Sequence, residues 1–194
     1  MINIRRGLFE TNSSSVHTLV LNIQDYWDYK FDKDEYQKNL DKWGHKPIKV
    51  ECGYYGRVPQ PILYTIKDKA DYLWTAVIEQ YCNYDWKKRV YEIVNNKKID
   101  WWQKEMLSWL PRESSFIFPS KDSIIGIDHF YALQNFIKEL EENPAYIACL
   151  LYDDNSFIDI GGDEYPNFAF AFLTRIEGKI IPMPGEHSFY IKGC

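Results

Sequence analysis

Apolar residues in this chain change their spacing along its length, and that change limits the folds open to it. Toward both ends they fall at every second position or in short apolar runs, as strands require. Through the middle they recur three and four apart, as helices require. Residues 16–23 place Val16, Thr18, Val20 and Asn22 on one face and His17, Leu19, Leu21 and Ile23 on the other. Residues 1–4, 48–52, 114–118, 146–152, 156–160, 168–173, 180–183 and 187–192 also read as strands, several of them joined by hairpin turns. Helical spacing marks 34–43, with Gly44 as its stop, then 70–84 and 85–95. It returns at 100–110, with Asp100 as N-cap and Pro111 as terminator, and at 130–142.

This pattern predicts an α+β fold. A mainly antiparallel sheet drawn from both chain ends carries an inserted helical layer over about residues 65–142, in a single domain spanning 1–194. The hydrophobic share of 45%, with 15 Tyr and 7 Trp, suffices for a substantial core ringed by half-buried aromatics. A net charge of −5 argues against general DNA binding. Cys52, Cys82, Cys149 and Cys194 form no CxxC pair and are expected to stay reduced. No signal-like apolar segment opens the chain, and no run approaches the ~20 apolar residues that span a bilayer. A cytoplasmic protein without membrane association is therefore expected.

The densest chemistry lies between the first two expected strands. Arg5 and Arg6 are followed by Gly7 and the lone carboxylate Glu10. Thr11, Asn12, Ser13, Ser14 and Ser15 then supply four hydroxyls and an amide, and His17 closes the run. Consecutive hydroxyls and backbone N–H groups in a loop can surround a phosphate or carboxylate. Arg6 can clamp the same anion through two parallel hydrogen bonds. Glu10 and His17 would then be the base and acid flanking it, with the imidazole needing little tuning near neutral pH. The competing reading is a polar turn whose hydroxyls satisfy local backbone groups.

Arg6-x-x-Phe9-Glu10-Thr11-Asn12-Ser13-Ser14-Ser15-x-His17-x-Leu19 resembles the opening of a group of proteins from Firmicutes and their phages, which share an Arg, Gly, Phe-Glu-Thr-Asn-Ser-Ser-Ser run followed by His. Asp68-Lys69-Ala70-Asp71-Tyr72-Leu73 is similar to that group's Lys-x-x-Tyr-Leu segment. Ile127-Asp128-His129 is similar to its Ile-Asp-His element, although Phe130-Tyr131 replaces the Gln-Ser pair that follows there. The resemblance implies a bacterial or phage source and brings no activity with it.

Other constellations are weaker. Asp128-His129 at a helix start is either an N-cap beside an exposed imidazole or an acid–imidazole pair, so His129 joins Glu10 and His17 as a candidate catalytic residue. No second His lies near His17 in sequence, and no metal site is expected. Asp153, Asp154, Asp159, Asp163 and Glu164 do not follow the alternation of an EF-hand and read as a hairpin turn and solvated edge. Trp74, Trp86, Trp101, Trp102 and Trp109 can be a stacking platform but at helical spacing read first as core. Lys87-Lys88-Arg89 and Lys97-Lys98 read as a solvated basic face. No Gly-x-Ser-x-Gly elbow, Walker loop or Rossmann fingerprint occurs, and the residues leave the cofactor unknown.

Three functions fit these residues. The first is a phosphate- or nucleotide-handling enzyme acting by phosphoester hydrolysis or group transfer. The second is a non-catalytic phage or mobile-element inhibitor that binds a host defence protein, with the Tyr54-Tyr55 loop and the Trp-bearing helices as anchors. The third is a small-molecule sensor using the same hydroxyl loop.

Overall fold

The computed structural model describes residues 16–22, 33–55, 63–85, 90–92, 96–120, 123–127, 133–153, 156–161 and 188–192. In chain order the elements are β1 (Val16–Asn22), α1 (Lys33–Trp43), β2 (Lys49–Glu51), β3 (Tyr54–Tyr55), α2 (Ile66–Tyr81), β4 (Asn83–Asp85) and β5 (Val90–Glu92). They continue with α3 (Lys97–Trp109), β6 (Ser115–Ile117), β7 (Gly126–Ile127), α4 (Leu133–Glu142), α5 (Ala145–Tyr152), β8 (Phe157–Gly161) and β9 (Ser188–Lys192).

Helix α2 is the centre. Thr65 caps its start, with Oγ1 accepting from Asp68 N at 3.1 Å and donating to Asp68 Oδ2 at 2.6 Å. Lys69, Ala70 and every residue from Tyr72 to Ile78 are buried. A helix covered on all sides needs neighbours on all sides. Here β2, β7, α3, α4 and α5 supply them. Helix α1 ends as expected at Gly44, whose φ of 72° suits glycine. Gly44 N donates to Asp41 O at 3.2 Å and His45 N to Leu40 O at 3.4 Å, the paired bonds of a Schellman stop. Gln37 of α1 then donates to Ser108 O and Leu110 O, each at 2.8 Å, satisfying carbonyls at the end of α3.

The expectation of a mainly antiparallel sheet is overturned. The described residues are mainly helical, with five helices, and two of the strand pairings are short parallel ribbons, β2 with β6 and β3 with β7. Parallel neighbours require a long crossover, and α2 and α3 occupy both connections. A three-stranded antiparallel sheet does form, in the order β8-β1-β9, with Leu19 of β1 opposite Ile158 and Ile191. Leu63 extends it at β8, exchanging backbone bonds of 2.8 and 3.0 Å with Ile158.

Three further expectations change. Residues 145–152 form helix α5, not a strand. Pro144 sits at its N-cap with φ −60° and ψ −24°, where the missing N–H is harmless, and Ile147 to Leu151 are buried all round. A short, wholly apolar run has no face to reveal its period, and the helix satisfies its own backbone while packing against β1, α2, α3 and α4. Residues 85–95 are not one helix, because Asn83–Asp85 and Val90–Glu92 pair as antiparallel strands. Helix α3 starts three residues before the expected Asp100, with Asn96 as its N-cap. The expected strands at 1–4, 168–173 and 180–183 lie outside the described residues.

Candidate functional site

Arg6, Glu10, Thr11, Asn12, Ser13, Ser14, Ser15 and His129 lie outside the described residues, as does Asp128. Of the expected site residues only His17 lies within them. It is the second residue of β1, at the register position opposite Ile160. The chain segments that flank the others are held firmly. Gly126 N donates to Gly53 O at 3.1 Å, and Ile127 N donates to Glu79 Oε2 at 2.7 Å, so α2 grips the peptide directly before Asp128. Leu63, two residues before the cap of α2, bridges to β8 beside β1. Helix α2 is thus the element common to both frames. Glu79 is a residue that sequence reasoning missed, since a carboxylate on a helix gives no sign of the distant N–H it will accept.

The Lys-x-x-Tyr-Leu-like segment proves to be architectural. Lys69 is 1% exposed, and its Nζ donates to Ser156 O at 3.0 Å and Asp153 O at 3.4 Å, fastening the turn between α5 and β8. Asp71 accepts from Glu51 N at 2.9 Å and from Lys67 Nζ at 2.7 Å. Burial pushes the Asp71 carboxyl up, against the Lys67 and Glu51 hydrogen bonds that pull it down. Thr75 Oγ1 accepts from Gly53 N at 3.0 Å and donates to Asp71 O at 2.7 Å. Asp153 is buried at the end of α5, so this acidic stretch begins at a helix stop instead of the expected hairpin turn. Asp159 lies in β8 opposite Thr18.

A second polar centre joins the ends of three helices. Glu141 near the end of α4 accepts from Tyr81 Oη at the end of α2 through Oε1. The same oxygen accepts from Trp102 Nε1 of α3 at 2.9 Å. Lys98 Nζ, at the start of α3, reaches Oε2 at 2.7 Å. Burial pushes the Glu141 carboxyl up, but the hydrogen bonds from Lys98, Tyr81 and Trp102 and the Lys98 charge outweigh it and hold the carboxyl below its ordinary value. Asn96 Nδ2 donates to Tyr81 O at 2.8 Å and ties the N-cap of α3 to the same place. An open groove of about 450 Å³ lies beside this centre, lined by Lys97, Lys98, Trp101 and Glu141. Trp74, Trp102 and Trp109 are core as expected, and Trp101 is half-buried at the groove.

Among the described residues no group of three or more His, Cys, Asp or Glu side chains could hold a metal ion, and no helix is long and apolar enough to cross a membrane. Comparisons of the chain with protein-family models, curated proteins and solved structures yielded no match.

Proposed function

We propose that this protein is a phosphate-handling enzyme of bacterial or phage origin, acting on a nucleotide or nucleic-acid end by phosphoester hydrolysis or group transfer. Arg6 clamps the anion, Thr11 to Ser15 cradle it, and Glu10 and His17 move protons, with His129 as a further acid or base. The observation that carries this reading is the run of guanidinium, carboxylate, hydroxyl and imidazole groups that leads directly into β1, the central strand of its sheet. His17 stands on that strand itself, and a group on a rigid element is easier to hold in a productive geometry than one on a long loop. A cytoplasmic setting belongs to the same reading. It is supported by the thiols of Cys52, Cys82 and Cys149, which burial pushes up to about 12, 11 and 12 and so keeps in the protonated, unreactive form.

The test is a panel of phosphomonoesters, phosphodiesters and nucleotides offered to the wild type and to His17→Ala and Glu10→Gln. Turnover by the wild type should fall by roughly 10²–10⁴-fold in each variant. Unchanged affinity and turnover in well-folded variants would overturn the reading.

A non-catalytic inhibitor of a host defence protein is the second reading. It is favoured by the exposed apolar side chains of Tyr54, Ile117, Phe118 and Ile124. Tyr55, Trp74, Trp102 and Trp109 are buried and cannot serve as its anchors. A defined host partner whose binding is lost in Tyr54→Ala or Ile124→Asp would support it, and binding unaffected by both would count against it.

A further inference from the structure

The groove beside Glu141 combines three chemistries that a phosphorylated heterocycle needs. Trp101 offers a half-buried indole, fixed by an edge-to-face contact with Trp102 at 5.2 Å and 84°. Trp102 is fully buried and hydrogen-bonded to Glu141, so the platform is rigid. Lys97 places an exposed ammonium at the rim and makes no ion pair with a described residue. Lys98 lies 5.9 Å from the centre of the Trp101 ring while paired with Glu141 Oε2. A carboxylate has about four lone-pair positions. Glu141 fills three of them, with Tyr81, Trp102 and Lys98. The fourth is available to a hydroxyl or amine donor in the groove that Glu141 lines.

The placement of the cations sharpens this. Lys97 and Lys98 are the first two residues of α3, where the helix dipole already concentrates positive charge. Two ammonium groups there disfavour the helix and favour a bound anion. The volume lies within the range of small-molecule sites, roughly 300–1,000 Å³.

We propose that this groove binds a mononucleotide-like ligand, with its heterocycle on Trp101, a sugar hydroxyl or ring amine on Glu141, and its phosphate on Lys97 and Lys98. The groove is built from α3 and α4 and is independent of the Arg6–His17 reading.

The test is calorimetric titration of the full chain with AMP, with adenosine and inorganic phosphate as separate arms. AMP should bind in the sub-millimolar range, at least about tenfold more tightly than either fragment. Lys97→Glu, a change at an exposed position, should weaken AMP about tenfold or more and flatten the dependence of affinity on salt. Trp101→Ala should weaken AMP and adenosine alike by about tenfold, and Trp101→Phe should restore most of the loss. No AMP binding up to about 10 mM overturns the proposal. So does equal affinity in wild type, Lys97→Glu and Trp101→Ala, or adenosine binding as tightly as AMP. AMP affinity is read at Lys97 and Trp101 and phosphoester turnover at Glu10 and His17, so each reading can fail without the other.

Discussion

Lys69 and Glu141 are charged side chains on neighbouring helices, and each holds distant parts of the chain together, but in opposite surroundings. Lys69 is buried almost completely and gives its protons to the backbone carbonyls of Ser156 and Asp153. Glu141 keeps 14% of its side chain exposed, and its Lys98 partner keeps 53%. The buried cation fixes one turn, between α5 and β8. The semi-exposed carboxylate gathers the ends of α2, α3 and α4 and stands at the edge of a groove. An interior charge contributes geometry, and its removal is costly because the groups it satisfied cannot turn to water. A charge at the margin can be partly replaced by solvent and remains available to a ligand.

That contrast sets an order of effects. Lys69→Met preserves much of the volume but removes the ammonium that donates to Ser156 O and one of the two donors to Asp153 O. It should lower unfolding free energy by about 2–4 kcal/mol in urea denaturation. An effect no larger than that of a surface lysine would dissolve the comparison. Glu141→Gln turns an amide NH₂ or carbonyl toward three donors and should cost about 1–3 kcal/mol at neutral pH.

The pH dependence separates two carboxylates. The folded-state pKa of Glu141 lies below its ordinary value of 4.5, so its stabilisation is present above that value and is lost as pH falls through the folded one. The gap in stability between wild type and Glu141→Gln should therefore narrow in acid below about pH 4.5. Asp71 is shifted the other way, above 3.8. Its ionisation disfavours the folded state as pH rises through that folded value, and Asp71→Asn should remove this opposite slope. Parallel slopes in the two variants would contradict the assignment.

Smaller again is Tyr81→Phe, which removes one of the donors to Glu141 and should cost about 0.5–1.5 kcal/mol by thermal or chemical denaturation. Lys98→Met breaks a half-exposed pair and should cost no more than about 1 kcal/mol, diminishing with added salt. A Lys98 effect exceeding that of Glu141→Gln would show that the pair, and not the triple hydrogen bond, holds the three helix ends.

The legible parts of the fold are those whose signals are local. Gly44 ended α1, the alternation of residues 16–22 produced β1, and Leu133, Phe136, Ile137 and Leu140 formed the buried stripe of α4. The candidate site was legible only as composition. The hydroxyl-rich run at 11–15 and His129 fall outside the described residues, and His17 is placed by its backbone register with β8. Glu79 and Glu141 could not be picked out, and Lys69 stood out only within the Lys-x-x-Tyr-Leu-like segment, since each is an ordinary charged residue on a helix until folding brings its partners near.

The sequence by itself determined where α1 stops, that residues 16–22 extend, which stripe of α4 enters the core, and that two lysines precede a tryptophan-rich helix. These follow from side-chain spacing, capping hydroxyls and glycine freedom, which act within a few residues. Tertiary structure alone decided that residues 145–152 coil instead of extending, that β2 and β3 take parallel partners, and that Glu141 collects a tyrosine, a tryptophan and a lysine from two other helices. A uniformly apolar run carries no period, strand direction depends on what the crossover helices span, and a hydrogen bond between residues 60 positions apart is recorded in neither neighbourhood.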